Sequence, residues 1–147
     1  NQNLVAVDGA SKTAWFDVTD DTGNIVRKEQ KFDMLHVCPP QASPDIIAKS
    51  SLANDGGWLD INQHDLQHNK FDNIFGIGDV ISAPNAKTAA AVRTQAPILA
   101  NNLIAAMQKN REKRYYHGYG SCPLTVEHGK IVLAEFGYGG KIDLFGL

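Results

Sequence analysis

Two stretches of this 147-residue chain carry residue types that could do chemistry. The first runs from Phe71 to Thr88, F-D-N-I-F-G-I-G-D-V-I-S-A-P-N-A-K-T. Its apolar run predicts a buried strand over 73–80 that delivers Gly76, Gly78 and Asp79 to its carboxyl end, where open α/β sheets bind ligands. Gly78 would let a ligand approach the backbone closely. The Asp79 carboxylate suits a sugar or polyol hydroxyl. Lys87 and Thr88 follow at the start of an alanine-rich pattern over 86–110 that reads as a long helix. The free N–H groups and dipole at that helix end favour negative charge. The bland alternatives are a helix cap for Asp79 and a solvated cap for Lys87 and Thr88.

The second stretch is Gly118–Thr125, G-Y-G-S-C-P-L-T, a glycine-rich loop that enters a strand carrying Cys122. A thiol reacts as its thiolate, which local positive charge and helix dipoles promote. Otherwise it serves as a small buried hydrophobe. The other cysteine, Cys38, lies too far away in sequence for a C-x-x-C or zinc-knuckle pattern, and two cysteines are too few for a disulfide scaffold. His36, His64, His68, His117 and His128 offer only a weak i, i+4 pair at 64 and 68 without a third ligand, so no metal site is expected.

These residues need elements to position them. Ser11–Asp20 and Ile25–Phe32 alternate around the turn cluster Asp20-Asp21-Thr22-Gly23-Asn24 and predict a β-hairpin. Met34–Val37 reads as a short strand stopped by Pro39-Pro40, which lack backbone donors. Ser43-Pro44 predicts a short helix with Ser43 as N-cap, ended by Asp55-Gly56-Gly57. Trp58–Ile61 reads as a small strand. Pro97 falls inside the long helix and predicts a kink, and Arg111–Arg114 place cations at its C-terminal end. Leu124–Val126 and Lys130–Phe136 flank Glu127-His128-Gly129 as a second hairpin. The order is mixed α/β without a repeated βαβ unit, as if one domain were ending and another following.

The bulk numbers exclude several classes. The chain is 43% hydrophobic and 20% charged, with formal net charge −2 and scattered charges. That is ordinary for soluble globular protein and lacks the basic stripe of a nucleic-acid binder, so no nucleic-acid partner is expected. No run approaches the roughly 18 apolar residues of a membrane span, and the opening run is strand-like rather than a leader. A G-x-G-x-x-G fingerprint is absent, since Gly76-Ile77-Gly78 and Gly118-Tyr119-Gly120 both fail at the third glycine.

N-I-F-G-I-G-D-V resembles the second FAD-binding motif of the two-dinucleotide-binding-domain flavoproteins. M-L-H-V-C-P-P-Q, G-W-L-D-I, F-G-I-G-D-V, K-T-A-A-A-V-R, G-Y-G-S-C-P-L-T and L-A-E-F-G-Y follow one another as they do in sulfide:quinone oxidoreductases, most like the branch with the mitochondrial enzyme. The resemblance runs from about Phe32 to Tyr138.

It implies an α/β fold that is a C-terminal fragment of such a flavoprotein. Residues 1–56 would end the second, NAD-like Rossmann domain. Residues 57–110 would close the FAD domain, and 111–147 would begin the redox and quinone region. It implies that Asp79 binds the flavin ribityl chain, with Gly78, Lys87 and Thr88 near the cofactor, and that Cys122 is one of two redox cysteines. The partner cysteine lies upstream of this stretch; Cys38 occupies a position that is usually not cysteine. Phe136 and Tyr138 would contact quinone or else belong to core.

Sulfide and quinone would be substrates and FAD the cofactor, its site incomplete here. The parent would sit peripherally on a bacterial cytoplasmic or mitochondrial inner membrane through parts this chain lacks, with the fragment soluble, inactive alone and able to form homo-oligomers. The alternatives are a flavocytochrome sulfide dehydrogenase, a type-II NADH dehydrogenase, or a non-catalytic self-associating module.

Overall fold

The computed structural model describes residues 2–84, 87–108 and 112–143. It is a small α/β structure with two antiparallel sheets and one long helix. The chain divides into two compact units, Asn1–Pro40 and Gln41–Leu147.

The first unit is an antiparallel meander of β1 (Gln2–Asp8), β2 (Thr13–Thr19) and β3 (Ile25–Lys31), in that order. The expected hairpin is β2–β3, and β1 adds a third strand. Its turn is set by Asp20, whose Oδ1 accepts from the Thr22 and Asn24 amides at 2.9 Å each, while Gly23 takes φ +88°. Asp17 and Arg27 stand directly opposite, with guanidinium nitrogens 2.8 and 3.1 Å from the carboxylate. That fork holds the Asp17 carboxyl below its ordinary value, although an exposed pair adds little stability. The strand expected at Met34–Val37 does not form. A strand needs a neighbour's amides and carbonyls; this segment pairs with none among the described residues, and Met34 is 88% exposed.

The second unit is built around Leu59, Ile61, Leu66, Ile81 and Tyr116, with Ile77, Ile98, Leu99, Tyr119 and Tyr138 packed against them. The strands expected at Trp58–Ile61 and over 73–80 shrink to single bridges. Leu59 pairs with Ala53 and, in parallel, with Ile81; Ile61 pairs with His68, and Gln67 with Phe75. Each of these residues meets a loop rather than a long neighbouring strand, and Gly78 leaves extended geometry at φ +77° to begin a 3₁₀ turn over Gly78–Val80.

Side chains take over where ladders are missing. Asn54 Oδ1 accepts from the Gly56 and Trp58 amides at 3.0 and 3.1 Å. Buried His68 accepts from the Lys70 amide through Nδ1 at 2.9 Å and donates from Nε2 to the Leu52 carbonyl at 3.1 Å.

Helix α1 covers only Asp45–Ala48. Pro44, not Ser43, is its N-cap; the Ile47 and Ala48 amides bond to the Pro44 carbonyl, and no side chain caps the helix. Helix α2 runs over Ala89–Gln108 and continues through Pro97. Ala86, Lys109, Asn110 and Arg111, which the sequence pattern places in or just after this helix, lie outside the described residues. Lys113, expected to serve the helix end, instead reaches Asp65 and Gln67, with Nζ 2.8 Å from each side-chain oxygen.

The buried face of α2 is made of Ala91, Gln95, Asn101, Asn102 and Ala105 rather than large apolar residues. Asn102 is 0% exposed and every polar group of its amide is used. Nδ2 donates to the Asp65 and Arg114 carbonyls at 2.9 and 2.8 Å, and Oδ1 accepts from the Arg114 amide at 2.7 Å. One side chain thus staples two loops, at 65 and 114, to the helix.

Strands β4 (Gly120–Glu127) and β5 (Lys130–Phe136) form the second hairpin, turning at His128-Gly129 with Gly129 at φ +72°. Leu124, Val126, Ile131, Val132 and Leu133 on it are all more than half exposed.

Asn102→Ala should lower stability by about 2–4 kcal/mol, because it leaves buried backbone groups of two loops unpaired; the drop in the urea unfolding free energy measures it. A second expectation concerns alkaline pH. Burial raises the Tyr116 and Tyr138 hydroxyls above the ordinary tyrosine value. Above about pH 10 the unfolded chain loses these protons while the folded chain keeps them, so stability must fall as pH rises there. Urea midpoints should decline from about pH 10 upward, and Tyr138→Phe should make that decline shallower.

Candidate functional site

The 78–79 turn is held from below by α2. The Gly78 amide donates to Gln95 Oε1 at 2.9 Å, and Gln95 is 3% exposed. A Cβ on Gly78 would sit 3.3 Å from Val92 Cγ2, at a φ that side chains resist. Gly76 has a different role: a Cβ there would meet Leu59 Cδ2 at 2.3 Å, so this glycine serves core contact rather than ligand approach. Asp79 is exposed and lines a cavity of about 480 Å³ with Gln41, Ala42, Pro44, Trp58, Ile77 and Val80.

Lys87 Nζ donates to the Ile81 carbonyl at 2.7 Å and lies 3.9 Å from the centroid of the Trp58 ring. Burial lowers its pKa, and the Asp79 charge opposes that shift. Thr88 Oγ1 accepts from the Ala91 amide at 3.2 Å and so caps α2. Of the four cofactor candidates, Gly78, Asp79 and Lys87 gather around the turn, while the Thr88 hydroxyl oxygen caps the helix.

Cys122 is a half-buried free thiol on β4, directly across from Ala134. Facing pairs share a side of the sheet and successive pairs alternate. The Gly120–Phe136 pair two residues on therefore places Phe136 on the same side as the thiol, as its diagonal neighbour. The other side carries Ser121, Leu133 and Glu135, which line a cavity of about 360 Å³ with Tyr119, Arg93 and Thr94. Tyr119 donates to Glu135 Oε1 at 2.5 Å, and that bond is the main cause of its raised pKa.

Tyr138 is fastened into its surroundings. Its hydroxyl donates to the Gln63 carbonyl at 2.6 Å, and its ring stands edge-on to Tyr116 and His64 at centroid distances of 5.6 and 5.5 Å. Gly118, at φ +86°, leaves room for it; a Cβ there would come 2.3 Å from the ring.

Cys38 is exposed, with Sγ 3.5 Å from His36 Nε2. Among the described residues no group of three or more His, Cys, Asp or Glu could hold a metal ion, and no helix is long and apolar enough to cross a membrane.

Sequence reasoning missed Gln95, Tyr116 and Trp58. A signal existed for the first: Gln95 and Asn102 are seven residues apart, so they share one face of α2 with Asn101 beside them. Polar residues on the inward face of a helix need partners, and those partners turn out to be the turn at 78 and the loops at 65 and 114.

No protein-family model matches the chain. The mitochondrial sulfide:quinone oxidoreductase of Mus musculus is 40% identical over 136 residues, 92% of this chain and 30% of that protein. Its counterpart in Dictyostelium discoideum is 44% identical over 142 residues, 96% of this chain and 30% of the relative. That of Schizosaccharomyces pombe is 41% identical over 135 residues, 92% and 29% respectively. The chain therefore spans about 30% of the length of the curated relatives it matches. Among solved structures, a chain of the cryo-EM F1Fo composite tetramer of the Tetrahymena thermophila mitochondrial ATP synthase superposes with TM-score 0.80 at 29% identity, covering 97% of this chain and 34% of that one. Over the stretch it spans, this chain belongs to the sulfide:quinone oxidoreductase family.

Proposed function

We propose that this chain is the C-terminal part of a membrane-peripheral flavoenzyme of mitochondrial type, which oxidises hydrogen sulfide to sulfane sulfur and reduces quinone through FAD and a cysteine pair. Residues 1–56 close its second dinucleotide domain, 57–110 the FAD domain, and 111–147 open the redox region. The observation that carries this reading is the convergence of two elements on α2. The glycine-aspartate turn at 78–79 and the strand bearing Cys122 belong to one compact unit and pack on the same helix.

The residues at the turn fit part of a flavin nucleotide. Gly78 shapes the turn, Asp79 offers an exposed carboxylate to polyol hydroxyls at the cavity, and Trp58 lines that cavity with Lys87 against its ring. The absence of a G-x-G-x-x-G sequence leaves the pyrophosphate to be held elsewhere in the parent. When bound, the flavin supplies the two-electron relay between thiol and quinone.

Cys122 holds one sulfur of the disulfide, whose other sulfur comes from a cysteine upstream of this chain. Attack by sulfide breaks that S–S bond and forms a new one. One cysteine then carries a persulfide and the other leaves as a thiolate, the two electrons having come from sulfide. A nucleophilic sulfur acceptor then takes the outer sulfur of the persulfide, leaving both cysteines as thiolates, and these close the disulfide again as their two electrons pass on to quinone, which takes up two protons. Phe136, on the thiol's side of the hairpin, supplies an apolar aromatic surface for the quinone ring. Tyr138 acts through the hairpin's base, since its hydroxyl and ring edge are already engaged with Gln63 and Tyr116.

A second reading is a non-catalytic assembly module. It is favoured by the exposed apolar hairpin residues and by the likeness to a chain within a large mitochondrial assembly.

The test uses the full-length protein purified with its flavin. Mixed anaerobically with sulfide, the wild type should lose flavin absorbance and regain it on adding quinone, whereas Cys122→Ser should stay oxidised. Equal responses in both proteins would remove Cys122 from the chemistry. Reduction by NADH alone would favour the type-II dehydrogenase, and a full-length protein without flavin would favour the assembly module.

A further inference from the structure

We infer that segment 74–77 is a strand-addition site: one of its edges is paired, the other is open, and in the parent protein the open edge takes an extended apolar strand from the polypeptide upstream of this chain.

The paired edge faces 66–68. The His68 amide donates to the Ile74 carbonyl at 2.9 Å, and the Gly76 amide donates to the Leu66 carbonyl at 3.0 Å. These bonds flank Gln67 and Phe75, which form an antiparallel bridge between them. The backbone groups of such a flanked residue point away from the partner strand. Phe75 therefore turns its N–H and C=O outward. Ile77, two residues on and extended at φ −141°, ψ 167°, turns its own to the same edge. None of these four groups has a hydrogen-bond partner among the described residues.

Two observations mark this edge as one built for pairing. The run I-F-G-I is uncharged and does not alternate; Gly76 is buried and its neighbours are half-buried. Such a run suits a strand covered on both faces inside a wider sheet. The other edges carry features that discourage pairing. Strand β3 presents Arg27, Lys28, Glu29 and Lys31, β1 has an irregularity between Leu4 and Ala6, β4 contains Pro123, and β5 is bridged at Phe136 by Ile142. Segment 74–77 carries no charge, no proline and no bulge.

The choice of occupant rests on the reading of this chain as the C-terminal part of a longer enzyme. The chain spans about 30% of the length of its relatives, which leaves ample polypeptide to supply a strand. A second copy fits poorly. Antiparallel self-pairing centred on Phe75 would set Ile77 opposite Asn73, and Asn73 lies in the turn closed by the Ile74 amide on the Phe71 carbonyl. Beside Phe75, a cavity of about 530 Å³ is lined by Leu103, Ala106 and Met107 of α2, a surface suited to apolar side chains of the incoming strand. Backbone bonds would supply the pairing and this surface the selectivity.

The test uses the full-length protein. Residue-resolved amide hydrogen exchange compares Phe75 and Ile77 with Gly76, whose bond lies within this chain. Phe75 and Ile77 should exchange within about tenfold of Gly76. Exchange about a hundredfold faster than Gly76 would overturn the site, since unpaired amides open to water are not protected. Phe75→p-benzoylphenylalanine then identifies the occupant. On irradiation it should crosslink within the same polypeptide, to a residue upstream of Asn1. A crosslink to a second copy, or to another protein, would overturn the assignment. If that variant does not fold, exchange in the unmodified protein still decides whether the edge is paired, and a protected edge in a protein that sedimentation shows to be monomeric places the strand in the same chain. Neither readout uses sulfide or quinone, so an unpaired edge and a failed functional reading are separately visible.

Discussion

The second unit depends on amide side chains buried along a single helix. A segment such as 58–81 makes only isolated bridges, so most of its backbone groups cannot be satisfied by a ladder. Backbone polar groups removed from water still require partners. Helix α2 supplies them from its inward face. Gln95 serves the turn at 78, Asn102 the loops at 65 and 114, and Asn101 the Glu112 carbonyl. A helix with leucines at those positions would bury more apolar surface but would leave the loops without direction. The amides trade some hydrophobic stabilisation for defined geometry, which is what a site assembled from loops needs.

The hairpin β4–β5 solves a different problem. Its alternation separates two chemistries on opposite sides: Cys122 with Ala134, Gly120 and Phe136 on one, and Ser121, Glu135 and Tyr119 on the other. A one-residue slip in register would exchange the sides and remove the thiol from its aromatic neighbour. The tyrosine cluster at the hairpin's base opposes such a slip. Tyr116 bonds to the Tyr119 carbonyl, Tyr138 to the Gln63 carbonyl, and Gly118 makes the space that the Tyr138 ring occupies.

Much of this was legible in the residues. Both hairpins follow from alternation around Asp20–Asn24 and Glu127–Gly129, and α2 follows from its alanine-rich run; local preference and final structure agree there. The strands expected at Met34–Val37, Trp58–Ile61 and over 73–80 were not realised as ladders, because an apolar run can be recognised alone but a strand exists only with a neighbour. Ser43 shows the limit at a finer scale: a serine before proline has the composition of an N-cap, yet the first turn closes on the Pro44 carbonyl.

By itself the sequence determined which residues are chemically capable and what they can be: a glycine-aspartate pair, a thiol in a glycine-rich loop, and a helix to stand behind them. Motif order and spacing along the chain are enough for that, since they are properties of covalent neighbours. Only the tertiary structure decided what each group is free to do. It tied Lys87 to Ile81 and Trp58, made the Thr88 hydroxyl oxygen a cap of the helix, fastened Tyr138 to Gln63, and left Asp79 exposed. It also set Gln95 beneath the turn at 78 and bonded the Tyr116 hydroxyl to the Tyr119 carbonyl. Those outcomes depend on which buried donor meets which acceptor once distant segments are brought together, and that pairing is not written in the local run of side chains.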